Sequence, residues 1–302
     1  MNNLLKKLAL GTVQFGVPYG ISNKNGQPNK QQVLEILKCA HNIGIRLLDT
    51  APAYGESEKL LGELKDHFQH DPFLLISKLI KTDHANLSKK TIDQIRRGFF
   101  ESLTKLNQES IEGVLIHAPE ALKKEGSDLL IALLIELKEA KYIKKLGVSI
   151  YDMEEAEYII NSMPCDIIQL PFNLLDQRAT QQNILTRLKK NHIEIHVRSV
   201  FLQGLLLMAH STIPTYLQPL ISSLNYIQNL TIENNISMQQ CAIQFVAYHQ
   251  EVDYILIGIN EISELEKIIL HSNENIPLAL INKIKEIKIP NQTLIDPRTW
   301  KK

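Results

Sequence analysis

Short apolar runs alternate with longer amphipathic stretches along almost the whole chain. The runs are LALGTV (8–13), IRLLDT (45–50), FLLISK (73–78), GVLIHA (113–118), KLGVSI (145–150), DIIQLP (166–171), IEIHVRSV (193–200) and YILIGI (254–259). Each is mostly apolar without strict alternation, which predicts a strand covered on both faces, as in a parallel sheet. Between them, apolar residues recur at three- and four-residue spacing and predict helices, most clearly in VLEILKCAHNIG (33–44) and IALLIELKEAKYI (131–143). Ser88, Asp152 and Ser263 each precede such a stretch. Short oxygen-bearing side chains there predict N-caps, because they can accept from the unpaired N–H groups of a first turn.

Eight strands with intervening helices over ~250 residues predict an α/β fold, a (β/α)8 TIM barrel. An open doubly wound sheet is the competing architecture. Its dinucleotide turn needs G-x-G-x-x-G, whereas the first strand here runs into G-T-V-Q-F-G. No Pro/Gly-rich linker or shift in composition interrupts the chain, so residues 1–302 are expected to form one barrel domain. Residues 271–302 predict a C-terminal extra helix, LALINKIKEIK, and a short tail.

Charge narrows the partners. Lysine plus arginine equals aspartate plus glutamate at 33 each, so no bulk field favours nucleic acid or an acidic membrane surface. The basic clusters Lys141/Lys144/Lys145 and Lys283/Lys285/Lys288 read as solvated helix faces beside strands. Cys39, Cys165 and Cys241 are far apart and form no C-x-x-C, which argues against a disulfide framework or a zinc site; Cys39 and Cys241 read as small buried hydrophobes. The N-terminus carries lysines inside its apolar stretch, and no window reaches the ~20 apolar residues of a membrane span. The expectation is a reduced, cytoplasmic protein with neither membrane nor nucleic-acid partner and no metal.

In a barrel the C-terminal strand ends share one face. Asp49, Lys78 and His117 close the second, third and fourth runs there, and Tyr54 follows in the turn DTAPAYG. Each has a plain alternative: a turn cap, a rim charge, a core histidine, a half-buried aromatic. Together they make a coherent proton-transfer set. A nearby ammonium favours phenolate, so Lys78 is expected to lower the pKa of Tyr54, while Asp49 keeps the lysine charged and oriented. His117 would orient a carbonyl oxygen, and Tyr54 would give it a proton.

The segments LALGTVQFG, GIRLLDTAPAYGESEKLLGEL, LLISKL, VLIHAP, LGVSI, IIQLPFN and RSVFLQGLL resemble, in order, those of the aldo-keto reductase family over roughly residues 8–270. D-T-A-x-x-Y-G followed by S-x-x-L-G is a specific signal. The resemblance implies the barrel, an NADPH or NADH cofactor lying across the strand ends, no metal, and a catalytic tetrad of Asp49, Tyr54, Lys78 and His117. By the same resemblance Gly11, Thr12 and Gly258 border the cofactor, Ser149 and Gln169 hold the nicotinamide carboxamide, and Ser199, Phe201, Gln203 and Gly204 form a pyrophosphate loop.

Several positions depart from the pattern. Ile150 stands where many relatives carry asparagine, and Arg198 where many place an aromatic residue against the nicotinamide. After the eighth run Asn260 replaces a cation and Glu264 a glutamine, with Lys267 nearby. A carboxylate repels a 2′-phosphate and accepts from a free 2′-hydroxyl, so weak cofactor preference or a tilt to NADH is expected. The substrate is expected to be a small carbonyl compound, such as a sugar derivative, lined by Tyr19, Phe172 and Trp300. Two other classes stay open: a cofactor-binding regulatory or redox-sensing barrel with little turnover, and a Schiff-base aldolase using Lys78.

Overall fold

The computed structural model describes residues 3–270 and 275–300. Eight parallel strands close into a barrel in sequence order: β1 (Leu8–Gly11), β2 (Leu47–Asp49), β3 (Leu74–Lys78), β4 (Ile111–Ile116), β5 (Ile143–Ser149), β6 (Ile167–Pro171), β7 (Glu194–Arg198) and β8 (Tyr254–Gly258). β1 pairs with both β2 and β8, Gly11 lying opposite Asp49 on one side and Gly258 on the other. The predicted (β/α)8 barrel is therefore the fold.

Two apolar layers hold it together. Ala9, Leu47, Ile76, Leu115, Ile167 and Leu256 fill the barrel, and a larger shell of Leu, Ile, Val and Phe joins its outer face to the helices. Burying one such side chain stabilises by about 1.5–3 kcal/mol. Strands covered on both faces explain why the runs lack alternation.

The runs overstate several strands. LALGTV stops at Gly11, and residues 13–16 turn into the short helix Val13–Gly16. The fourth strand runs two residues earlier than expected, so His117 lies one residue past its end. The helix expected over 131–143 spans Ser127–Glu139; Lys141 then takes φ 64° and the chain enters β5. The extra C-terminal helix is Leu278–Lys285, followed by two short turns up to Thr299. Residues 271–274 and 301–302 of the expected tail region lie outside the described residues.

The caps are mixed. Ser88 accepts from Thr91 N–H at 3.2 Å, as expected for the helix Lys89–Lys105. At Met153–Ser162 Glu155 reaches back to the N–H groups of Asp152 and Tyr151. The Asp152 carboxylate also pairs with Arg178 and Arg298. Ser263 lies inside the helix Ile262–Leu270 rather than before it, and Glu264 accepts from Asn260 N–H at 2.7 Å. A carboxylate serves there because unpaired N–H groups and the positive helix end both favour it.

The basic clusters divide. Lys144 and Lys145 stand on β5 itself, not on a helix face; both pair with Glu112 on β4, and Lys145 also with Glu194 on β7. Cys241 is buried, whereas Cys39 and Cys165 are half-buried; all three are free thiols. Among the described residues no helix is long and apolar enough to cross a membrane, and no cluster of His, Cys, Asp and Glu is grouped to hold a metal.

Candidate active site

The strand ends place Asp49, Lys78, Ser149, Gln169 and Arg198 around one mouth, with His117 just beyond β4 and Tyr54 in the turn after β2. All but Lys78, which lies buried beneath them, border a cavity of about 290 Å³ that also takes in Gly11, Tyr19, Gly258 and much of the loop after β7.

Close backbone packing sets the turn that carries Tyr54. A Cβ added to Gly16 would lie 1.6 Å from the Tyr54 carbonyl oxygen, and one on Gly55 would lie 2.4 Å from the Gly16 oxygen. Gly55 also has φ 57°. The two glycines let the helix Val13–Gly16 press on the turn 51–57, so the ring of Tyr54 is held over Lys78, 4.9 Å from its Nζ. His117 meets the same ring edge-on with centroids 6.3 Å apart.

Beneath Tyr54 runs one chain of polar contacts. Lys78 Nζ donates to Asp49 Oδ1 at 2.6 Å and to the Thr50 carbonyl at 2.9 Å. Gln169 Nε2 donates to the other Asp49 oxygen at 2.7 Å, and Ser149 Oγ donates to Gln169 Oε1 at 3.1 Å. Both Lys78 and Asp49 are almost wholly withdrawn from water. The two residues expected to hold a carboxamide are thus tied to the lysine–aspartate pair through one amide.

Burial sets the protonation states. Tyr54 is half-buried overall, yet desolvation, followed by the Asp49 charge, pushes its phenol above the ordinary value. This is the reverse of the lowering expected from Lys78: withdrawal from water dominates, and the charge that opposes it is that of Arg198. Desolvation also pulls Lys78 below the usual lysine range, with Asp49 opposing. His117 is lowered to about 3, first by burial and then by the Lys78, Lys81 and Arg198 charges. The set therefore presents a protonated phenol and a neutral imidazole at physiological pH, both suited to donating toward an oxygen.

Arg198 projects from β7 into the cavity wall. It donates to the Ile150 carbonyl at 2.8 Å and to Ser199 Oγ at 3.3 Å, and its guanidinium lies 3.9 Å from the centre of the Tyr151 ring. No carboxylate among the described residues pairs with it. The Arg298 guanidinium also lies 4.0 Å from the centre of the Tyr151 ring. The backbone carbonyl of Ile150 is thus used even though its side chain is buried and apolar.

The loop after β7 is unusual in conformation. Ser199, Leu202, Gln203 and Gly204 all have positive φ (61°, 48°, 54° and 90°). Successive turns between right- and left-handed residues direct N–H groups inward in a concavity suited to an anion. Buried Asn173 braces its start by donating to Ser199 O at 3.0 Å. The first long loop crosses above: Ile21 N–H donates to Gln203 O at 3.1 Å, and a Cβ on Gly204 would strike Ser22. Tyr19, half-buried beneath it, has its phenol raised to about 12 by desolvation first, then by the neighbouring phenols.

Several expected residues stand elsewhere. Phe172 is fully buried against Phe245 and His249 and does not line the cavity. Trp300 is also buried; its indole donates to Leu294 O and it anchors the tail beside Tyr216. Thr12 is buried behind the wall, while Asn260 and Glu264 bond each other beyond it. Tyr151 and Gln14 line the cavity without having been foreseen. Gln14 lies over Gly258, where a Cβ would come within 1.8 Å of its amide, and its Oε1 has no partner among the described residues. Its position inside G-T-V-Q-F-G was the available signal.

The chain resembles known proteins over most of its length. The family model described as "Aldo/keto reductase family" matches residues 7–289. The aldo-keto reductase YhdN of Bacillus subtilis is 28% identical over 212 residues, covering 66% of this chain and 60% of that protein. An NADH-specific methylglyoxal reductase of Escherichia coli is 27% identical over 219 residues, covering 67% of this chain and 65% of that protein. The chain thus spans less than two thirds of the length of these curated relatives. Among solved structures, the holo form of aldo-keto reductase AKR11C1 from Bacillus halodurans aligns with a TM-score of 0.71 at 18% identity, covering 95% of this chain and 94% of that one.

Proposed function

The chain belongs to the aldo/keto reductase family, and from that premise we propose that it reduces an aldehyde or ketone to an alcohol with NADPH or NADH, Tyr54 giving the proton. The observation that carries the reading is the buried contact chain from Lys78 through Asp49 and Gln169 to Ser149 beneath Tyr54 and His117.

The cleft fits a dinucleotide. Its loop 199–204 offers left-handed backbone for a pyrophosphate, Gly258 keeps β8 low, and Gln14 Oε1 is an unused acceptor. Ser149 and Gln169 retain hydrogen-bonding capacity for a carboxamide, because each uses only part of its valence inside the protein. When bound, NAD(P)H supplies the hydride that reduces the carbonyl carbon. His117, being neutral, donates its ring N–H to the carbonyl oxygen and fixes its position. Tyr54 then transfers its phenolic proton to that oxygen, and the nearby Lys78 ammonium stabilises the phenolate left behind until solvent returns the proton. Tyr19 and Tyr151 flank the oxygen-binding end as walls with phenolic hydroxyls, which suits a polar carbonyl compound such as a sugar derivative.

Glu264 argues for a tilt toward NADH. Its carboxylate, held beside Asn260 N–H, leaves a negative charge where the family's cation would meet a 2′-phosphate. Single-turnover oxidation of bound NADH and NADPH by a panel of aldehydes, followed by absorbance, tests both points. The expected outcome is oxidation of both cofactors with kcat/KM higher for NADH. No oxidation by any aldehyde would favour the regulatory barrel instead.

Arg198 adds a second expectation for the cofactor. Its unneutralised guanidinium disfavours a positively charged nicotinamide relative to the neutral reduced ring. One charge at several ångströms in a partly screened site corresponds to about 1 kcal/mol, or roughly fivefold in affinity. Titration calorimetry with Arg198→Tyr should therefore show a gain in NAD(P)+ affinity with little change for NAD(P)H. Equal or tighter NAD(P)+ binding by the unaltered protein would overturn this role.

A further inference from the structure

Three buried hydroxyls, on Thr12, Thr50 and Ser57, lie behind the reacting groups and touch neither cavity nor solvent. The Thr12 hydroxyl donates to the Asp49 carbonyl at 3.0 Å, the Ser57 hydroxyl donates to Thr12 Oγ1 at 2.8 Å, and Thr50 Oγ1 lies 3.1 Å from Ser57 Oγ. Each hydroxyl has one hydrogen, and a carbonyl can only accept. Thr12 therefore spends its hydrogen on Asp49 and Ser57 spends its own on Thr12, so Thr50 must donate to Ser57. The direction of every bond is forced, and hydrogen bonds aligned head to tail polarise one another.

The chain of hydroxyls grips three points that matter to the proposed reaction. At one end Asp49 C=O receives both the N–H and the hydroxyl of Thr12. Thr50 N–H donates to Ile76 O, so the peptide between Asp49 and Thr50 is held on both edges. Thr50 C=O is the second acceptor of Lys78 Nζ. At the other end Ser57 N–H donates to Tyr54 C=O at 3.1 Å. The hydroxyls thus join the end of β1, the acceptor pair of Lys78 and the turn that carries Tyr54.

We infer that Thr12, Thr50 and Ser57 are positioning residues that fix the Lys78 ammonium against the Tyr54 ring. Two of the three lysine N–H groups are held by Asp49 Oδ1 and Thr50 O, which leaves the third directed by geometry rather than by choice of partner. Without the Thr50 hydroxyl, residue 50 loses its side-chain tie to Ser57 and keeps only its backbone hold on Ile76 O, so its carbonyl and the ammonium it accepts from are placed less firmly beside the phenol. The inference rests on Tyr54 and Lys78 reacting as proposed above.

The test uses the isosteric pair Thr50→Val and Thr50→Ser, with Ser57→Ala as a smaller second lesion. A sub-ångström to ångström displacement of reacting groups can cost up to about 10²-fold, so Thr50→Val and Ser57→Ala are expected to lower kcat by about 10- to 100-fold. KM for the aldehyde and Kd for NADH should stay within about twofold, and Thr50→Ser, which keeps the hydroxyl, should restore kcat. In the direction of alcohol oxidation, where the phenol must lose its proton, the rising limb of the rate with pH should move to higher pH in Thr50→Val and return in Thr50→Ser. Thr231→Val removes a buried hydroxyl that bonds Gln228 O at 2.8 Å far from the cavity, and should lower Tm without either kinetic effect. Wild-type kcat and an unmoved pH limb in Thr50→Val would overturn the inference, as would the same kinetic loss in Thr231→Val. If Tyr54→Phe retains activity in parallel, the reaction assignment itself falls, which is a separate result.

Discussion

Tyr54→Phe is expected to lower kcat for aldehyde reduction by about 10²–10⁴-fold, the usual weight of a positioned general acid, while NADH and NADPH still bind. The substitution deletes one oxygen and leaves the ring, which is held by Gly16 and Gly55 packing behind its backbone and by Lys78 and His117 at its face and edge. The barrel has no reason to rearrange. Because desolvation keeps the phenol protonated well above neutral pH, the wild-type reduction rate should be nearly flat across the neutral range. His117, lowered to about 3, should add no acid limb near the ordinary histidine value. Steady-state rates and fluorescence quenching by both cofactors check the two halves independently. Retained turnover in Tyr54→Phe would remove Tyr54 from the chemistry; lost cofactor binding would show that the ring shapes the cleft rather than the reaction.

The barrel was legible because burial on both faces leaves a pattern that local sequence carries: eight apolar runs, each ending in a residue that now stands at one rim. Asp49 ends β2 and Tyr54 lies in the turn after it, while Lys78 ends β3 and His117 directly follows β4, so their convergence needed only the topology. What could not be read depends on direction and distance. Phe172 lies one residue past β6 and turns into the helices against Phe245 and His249, because successive residues leave a strand on opposite sides. Trp300 carries an N–H that finds Leu294 O on its own tail, which holds the indole there. Tyr151 owes its place to two guanidiniums, Arg198 on β7 and Arg298 in the tail, and no local pattern joins such distant positions. Glu264 has the residue type of a hydroxyl acceptor, yet in the fold it first satisfies Asn260 N–H. Residue types alone also give the wrong direction for the Tyr54 shift, since the loss of water around a ring is a property of packing.

The lysine–aspartate pair carries the other large effect. Lys78→Met is expected to destabilise the fold by about 3–5 kcal/mol, as removal of one partner from a buried ion pair does, and to abolish reduction. The cost comes from Asp49, which keeps a buried carboxylate with Gln169 as its remaining side-chain donor; methionine fills most of the lysine's volume, so a cavity contributes little. Asp49→Asn alone should be costly for the converse reason, leaving an ammonium beside a neutral amide and the Thr50 carbonyl. Combining the two substitutions removes both charges, and stability should return to within about 1–2 kcal/mol of the unaltered protein, as replacements of buried pairs by neutral groups do. Activity should not return with it, because the phenolate formed at Tyr54 then lacks a cation. Urea unfolding and aldehyde reduction measured on the same three variants separate these contributions. The cycle also separates reduction from imine chemistry. An aldolase lysine must lose its proton to attack a carbonyl, so Asp49→Asn, which weakens the hold on the ammonium, would raise borohydride trapping of a substrate carbon on Lys78. Here Asp49 and Thr50 O both favour the charged form, and Asp49→Asn is expected to yield neither trapping nor turnover.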